Sequence, residues 1–573
     1  MSYRICIALL GFTFVLSGCG GGGSGGEGPI ITTSSNTDTS ISDTNTVATD
    51  STDTDASTSD SDNNTEDTFV VDELISVGAV LSGSVAQEDF TLYSVPSDAE
   101  VILTTTSGDA DLFLYSSDDF ADENLLCSAR RPFIEDSCSA SDPDGELVAV
   151  VYGREASDYT LGVSDDCSVE AINEWVYRNM QDYYVYADRV PVVNPASYDD
   201  PRALIADLRF EELDPYSRVS LDASVQQQFL EEGVAFGFGA QYRRDGDGNL
   251  RVAYVYANSP LGLANIKRGD ISLGMNNELW ADIDDNRFSE LVGDRENPLA
   301  NDWQFIDGET GERKSHSITL AEYRLNTVLF DTIYTNPSFD GRTGYIVFND
   351  FLRTSEAELD AAIERLQDAG ATELILDLRY NPGGFGFIAR KLASQIGGPD
   401  LEGNLLVTSE YNNKYTSENF SQDFVAETLA LDFDRLVVLT TERTASASEI
   451  VINALRPYID VVVIGQKTEG KAFSSVANDF CGAALNAMES QRANANGVSV
   501  AGGIQADCFA ADDVTRNFGG AQDGIEGMLE SALDYVVFGT CEVAPPILAR
   551  KLEERHIMAD QRPTVGTALG LNR

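Results

Sequence analysis

Two short segments carry the side chains that could do chemistry. The first is Thr444-Ala445-Ser446-Ala447-Ser448-Glu449-Ile450, and the second is Gly465-Gln466-Lys467-Thr468-Glu469-Gly470-Lys471. Each follows an apolar run, 436–441 and 461–465, with the composition of a buried strand. Ser446 falls where strand turns into helix, so its hydroxyl is expected at the sheet edge. The free N–H groups of a helix start would lie beside it and favour negative charge developing on a substrate oxygen. Lys471 enters from the neighbouring connection, and a desolvated lysine loses its proton near neutral pH and can act as a general base. The only two histidines in the sequence, His316 and His556, do not follow a strand of this unit. An imidazole-based triad is therefore not expected, and lysine is the available substitute. Ser448 and Lys467 are the competing choices. Ser448 lies one step inside the helix and Lys467 reads as a solvated loop charge, while Ser446-x-x-Glu449 is also a helix capping box.

The elements that must position these residues follow an alternating order. Strand 343–348 leads to an amphipathic helix 356–369 with Leu359, Ile363 and Leu366 inward and Gly370 as its stop. Strand 373–379 ends in the turn Asn381-Pro382-Gly383-Gly384 and is followed by helix 387–396. Strand 436–441, helix 447–458 and strand 461–465 complete the series. Fully apolar strands in this order predict an α/β unit whose parallel sheet is covered on both faces. Right-handed crossovers then put Thr441 and Gly465 on one rim. Asp377 and Arg379 read as a structural pair, and 481–508, rich in Ala, Asn and Gly, as an irregular loop or hairpin near the site.

Upstream, 229–327 is a small β-rich unit. Gly237-Phe238-Gly239 runs into a strand, and Ser259-Pro260-Leu261-Gly262 leads through Lys267-Arg268-Gly269-Asp270 into another. This arrangement is similar to PDZ domains, in which a glycine loop turns its backbone N–H groups toward a peptide's terminal carboxylate. Gly237, Phe238 and Gly239 are the carboxylate-binding candidates. Residues 166–228 read as mostly helical, with Val169, Ile172, Trp175, Val176 and Met180 on one face and 213–217 as a connector. Short alternating runs across 69–165 predict a β-sandwich. Its Gly108-Asp109-Ala110-Asp111-Leu112 and Tyr159-Thr160-Leu161 weakly resemble the bacterial pre-peptidase C-terminal domain, with the aspartates read as turn carboxylates rather than calcium ligands.

The 573 residues include 38 Lys+Arg against 94 Asp+Glu, a formal net charge of −56, which excludes nucleic acid as a partner. Arg4 precedes an apolar run at 5–16, the length of a signal-peptide core, and Leu16-Ser17-Gly18-Cys19 resembles the lipobox of bacterial lipoproteins. The resemblance implies a signal peptide over 1–18, lipid on Cys19 and an anchored envelope protein at the outer membrane, on its periplasmic or surface side. Residues 19–68 are glycine-rich, then Ser/Thr/Asp-rich, and read as a disordered acidic tether. Six cysteines remain for three disulfides in an oxidising compartment. Proximity along the chain suggests Cys127–Cys138 and Cys481–Cys508, leaving Cys167–Cys541. No Cys/His spacing suggests a metal.

The motifs Gly237-Phe238-Gly239, Asp377-Leu378-Arg379-Tyr380-Asn381-Pro382-Gly383-Gly384, Thr444–Ile450 and Thr468-Glu469-Gly470-Lys471 occur in the order of the carboxyl-terminal processing (tail-specific) serine peptidases. The resemblance covers about residues 210–540. It implies Ser446 as nucleophile, Lys471 as general base, and an oxyanion hole from the Ala447 amide and a Gly383 or Gly384 amide. It also implies a crotonase/ClpP-like peptidase core over 328–542, a tail over 543–573, and no cofactor. The family commonly has Gly after the lysine and a lysine-orienting Gln four residues after it. Here those positions are Ala472 and Ser475, which makes Ser475 the candidate for orienting the amine. The whole reads as a multidomain α/β plus β protein acting on protein tails. The alternative reading is an inactive PDZ-type peptide-binding lipoprotein scaffold.

Overall fold

The computed structural model describes residues 75–541 apart from 98, 117–119, 121–123, 130–134, 141–145, 336–340 and 520–524. The expected signal peptide, Cys19, the tether and the 543–573 tail lie outside the described residues, as does His556. The described residues divide into two compact units, one of 75–168 with 478–481, the other of 169–477 with 482–541.

In the first unit, eight strands form two four-stranded antiparallel sheets. Strands Val80–Val85, Ser157–Ser164, Glu100–Ser107 and Glu135–Ser139 make one sheet; Phe90–Pro96, Glu146–Gly153, Ala110–Tyr115 and Leu125–Ala129 make the other. Alternating side chains meet in one apolar core of Val95, Val101, Leu103, Leu112, Leu114, Ala149, Val151 and Leu161. Cys127 and Cys138, with Cα atoms 5.9 Å apart, join a strand of one sheet to a strand of the other. Asp111 is buried against the Arg154 guanidinium at 2.6 Å, so its charge has an internal partner.

Two of the expected disulfides are corrected. Cys481 belongs to this unit and bonds to Cys167, 314 positions earlier. Cys508 bonds to Cys541 in the other unit. Proximity along the chain failed because Cys508 and Cys541 bracket a helix that returns the chain to the same strand end.

In the second unit, helices Val169–Asp182 and Pro201–Leu208 pack through Trp175, Val176, Met180, Leu204 and Leu208. A five-membered antiparallel path follows, Ala240–Arg244, Leu250–Val255, Ile271–Met275, Asn301–Ile306 and Arg313–Ile318, around buried Val252, Leu261, Met275, Trp303 and Phe305.

The principal sheet has six strands in chain order: β1 (Val328–Thr335), β2 (Arg342–Phe348), β3 (Glu373–Asp377), β4 (Arg435–Thr440), β5 (Asp460–Gly465) and β6 (Cys508–Phe509). All neighbours are parallel except the β1–β2 edge pair. Helices α1 (Ser355–Asp368), α2 (Gly386–Gly397) and α3 (Ala447–Leu455) fill the crossovers. A last helix, α4 (Gly527–Phe538), lays Met528, Leu529, Ala532 and Val536 on Val437, Leu439, Val462 and Ile464. The 481–508 segment, expected as an irregular loop or hairpin, holds a long strand followed by an irregular stretch at 494–507. Strand Ala483–Ala493 lies between Phe473–Phe480 and Leu405–Tyr411 in a separate sheet, with eight consecutive buried residues.

Candidate active site

Ser446 is the N-cap of α3, at φ 54° and ψ −115°, a left-handed backbone that a residue with a β-carbon adopts only when its surroundings enforce it. The enforcement is visible. Ala445 N–H donates to the Asn381 carbonyl at 3.1 Å, and Ser448 Oγ donates to the same carbonyl at 3.0 Å. Thr444 Oγ1 donates to the Leu378 carbonyl at 2.7 Å. Ser446 is partly exposed while Ala445, Ala447, Ser448 and Glu449 around it are buried. The sharp strand-to-helix turn thus presents one hydroxyl-bearing residue outward. Ser448, the competing hydroxyl, is committed to the backbone.

The Asn381–Gly384 turn presses on this elbow. At Gly383, φ is 102°, and a β-carbon there would lie 2.7 Å from Ser446 Cβ and 2.8 Å from the Ala447 nitrogen. Only glycine fits. Gly383 N–H is used internally, donating to Asn381 Oδ1 at 2.9 Å. Among the three candidate oxyanion donors this leaves Ala447 N–H, at the first turn of α3, and Gly384 N–H, which is solvent-exposed. Both are without a protein acceptor.

Glu449 connects the elbow to the lysine segment. Its Oε2 accepts the N–H groups of Ser446 and Lys471, each at 2.9 Å. Its Oε1 accepts Thr468 Oγ1 at 2.6 Å and Gly470 N–H at 2.8 Å. Burial pushes this carboxyl up to about 7, against the pull of the four donors. The Lys471 amine is pushed down to about 8, first by burial and then by the Arg218 charge, with Glu469, Asp214 and Glu449 acting in the opposite direction. It stands 5.7 Å from the centroid of the Tyr216 ring. No hydrogen bond joins it to the Ser446 hydroxyl. Such contacts commonly tighten only when substrate closes the site.

Residues 342–508 match the peptidase family S41 model, and residues 171–218 match the peptidase S41 N-terminal domain. This chain carries a peptidase S41 domain. The S41 region is 26% identical over 321 residues to "Carboxy-terminal processing protease CtpA" of Bacillus subtilis, covering 55% of this chain and 62% of that protein. It is 25% identical over 323 residues to "Probable CtpA-like serine protease" of Staphylococcus aureus, covering 56% and 60%. The chain therefore spans about three-fifths of the length of these relatives. A solved structure, "Putative S41 protease" from Bacteroides fragilis, has the same fold at a TM-score of 0.52 and 23% identity, covering 64% of this chain and 97% of that one.

Several parts of this candidate site were not visible in sequence. The 213–217 connector is more than a turn. Asp214 Oδ1 accepts the N–H groups of Tyr216 and Ser217, which sets Tyr216 beside the Lys471 amine. Asp377 and Arg379 do pair, in a larger buried cluster. Arg379 meets Asp377 at 2.8 Å, Asp512 at 2.9 Å and Glu526 at 3.0 Å, while Asp512 also meets Arg268 at 2.7 Å and accepts the Tyr380 hydroxyl. Tyr380 precedes Asn381, so this cluster anchors the glycine turn.

Other expectations fall away from the reacting atoms. Ser475 makes no hydrogen bond to Lys471. It lies inside strand Phe473–Phe480, and an extended chain advances about 3.3 Å per residue, which carries a short hydroxyl out of reach. Lys467 is exposed. His316 sits opposite Trp303 in the antiparallel sheet of the same unit, away from the elbow.

Gly237 ends one strand, and Phe238 and Gly239 connect it to the next, which begins at Ala240. Phe238 packs on Trp303 at 4.6 Å between ring centroids, and Gly239, at φ 78°, lies against Ser259. The N–H groups of Phe238 and Gly239 have no protein acceptor. Among the described residues, no group of three His, Cys, Asp or Glu is placed to hold a metal.

Proposed function

We propose that this protein is an exported, lipid-anchored serine endopeptidase that cuts proteins near their C-termini, using Ser446 and Lys471. The observation that carries the reading is the single Glu449 carboxylate bonded to the backbone of both residues, beside an amine pushed toward neutrality. In this scheme neutral Lys471 takes the Ser446 proton as the serine oxygen attacks a peptide carbonyl. The oxyanion is received by the Ala447 and Gly384 amides, and Lys471 returns the proton to the departing amine. Water then releases the acyl group by the same steps. The 229–327 unit, read as PDZ-like, would hold the substrate's terminal carboxylate at the unpaired amides of Phe238 and Gly239. The Ala240–Arg244 edge strand would pair with the tail. Lipid on Cys19 would place the enzyme in the cell envelope.

The test is cleavage of a model protein with a nonpolar C-terminus. Ser446→Ala and Lys471→Ala should each abolish cleavage without unfolding the protein. Full activity in either variant refutes the dyad. Binding of tail peptides with no turnover by the unaltered protein supports the scaffold reading instead.

A further inference from the structure

Beside Lys471 lies a small recess, of about 20 Å³, walled by Leu406, Val407, Ile450, Phe473 and Val500, with Arg492 in its lining. Arg492 is held next to the lysine segment because its backbone N–H donates to the Ala472 carbonyl at 2.9 Å. Its Nε is buried with no hydrogen-bond partner, and its guanidinium makes no ion pair with any described residue. By contrast Arg243, Arg268 and Arg379 each meet at least one carboxylate. An unpaired arginine stands out further in a chain with 94 acids and 38 bases. A guanidinium that is partly buried, with its Nε wholly so and unpartnered, gains from an anion arriving from outside.

A second feature faces the same charge. A β-carbon on Gly386, the first residue of α2, would lie 3.0 Å from Arg492 Nη1. The α2 N-terminus has no side-chain cap, and the amides of Gly386, Phe387 and Ile388 have no acceptor. The two features are both positive and close together, an arrangement suited to a carboxylate. The glycine turn that supplies Gly384 runs directly into α2, and Lys471 lines the recess, so the receptor adjoins the scissile bond.

We propose that Arg492 is a specificity-determining residue that receives a substrate carboxylate next to the bond being cut. The proposal rests on the Ser446–Lys471 reading. The carboxylate comes either from an Asp or Glu side chain at the residue supplying the scissile carbonyl, or from a free chain end.

The experiment uses the full chain and matched peptides with Glu, Gln, Leu or Lys at that residue, all capped at both ends, plus an uncapped peptide ending shortly after an uncharged residue. Glu over Gln should be favoured about ten- to a hundredfold in kcat/KM, the range of a charge-assisted contact. Preference for the uncapped peptide alone would place the carboxylate at the chain end. In Arg492→Met either preference should collapse toward one, and Arg492→Glu should favour Lys. No preference for either carboxylate, or preference surviving in Arg492→Met, overturns the proposal. Thermal unfolding separates recognition from structure. Arg492→Met should melt at the same temperature or higher, and a large fall would make the arginine structural and overturn the proposal.

If no peptide is cut, the Ser446–Lys471 reading fails on its own. The receptor is then read by calorimetry of acetylated peptides ending in amidated Glu or Gln on Ser446→Ala. Tighter Glu binding that is lost on adding Arg492→Met supports the receptor; equal binding overturns it.

Discussion

The backbone amides of Ser446 and Lys471 share one acceptor, the Oε2 oxygen of Glu449, at 2.9 Å each. Two loops from adjacent strands are therefore held in register by one buried carboxyl group. The Ser-x-x-Glu spacing that caps a helix here also ties together the backbones of the residues that carry a hydroxyl and an amine.

Glu449→Gln keeps the volume but turns an amide NH2 toward a ring of N–H and O–H donors. We expect kcat to fall at least tenfold with KM little changed, the signature of a lost positioning contact. Glu449→Ala should be worse and should destabilise the fold by about 2–4 kcal/mol, since several buried donors lose their acceptor. Steady-state kinetics and denaturant melts check both.

The acid–base behaviour of Lys471 gives a signed prediction. With the amine pushed from 10.5 down to about 8, the base is protonated and idle below that pH. Acylation should therefore rise with pH and level off above about 8. The same shift affects stability. Below pH 8 both native and unfolded states carry the proton and the cost of the buried charge is fully present; between pH 8 and 10.5 the unfolded chain binds more protons, so that cost is relieved as pH rises. Lys471→Met should be more stable than the unaltered protein at pH 7, with the difference shrinking by pH 10. A stability gap that widens with pH would contradict this.

Gly383→Ala places a methyl group against Ser446 Cβ and the Ala447 nitrogen and forces a side chain into φ 102°. Activity should drop by a hundredfold or more, because the elbow or the glycine turn must shift. Circular dichroism should still report a folded protein.

Peptide mapping under non-reducing conditions should recover Cys127 with Cys138, Cys167 with Cys481, and Cys508 with Cys541. Cys541→Ser opens a link spanning 33 positions and should cost about 3–4 kcal/mol by chain-entropy reasoning. Recovery of Cys481 with Cys508 would contradict the fold of the second unit.

What the sequence conveyed followed from local periodicity. The apolar strands at 373–377 and 460–465 and the helix opening at Ala447 could be read because their patterns are short-range and strong. Glu449 was legible as a cap, yet its bonds to Thr468, Gly470 and Lys471 reach about twenty positions along the chain and leave no local pattern. Tyr216 comes to Lys471 from more than 250 positions away. The Arg492 recess was invisible for a different reason: its signal is the absence of a partner, and a sequence does not show which acids fail to reach an arginine. The disulfides show the limit of proximity, since a returning helix brings Cys541 to Cys508.

The most direct measurement is the site and pH dependence of labelling by a fluorophosphonate, read by mass spectrometry on the intact chain. The account predicts a single adduct on Ser446, forming faster as pH rises toward about 8, and absent in Lys471→Met. An adduct on another serine, or undiminished labelling of Ser446 without the lysine, would contradict it.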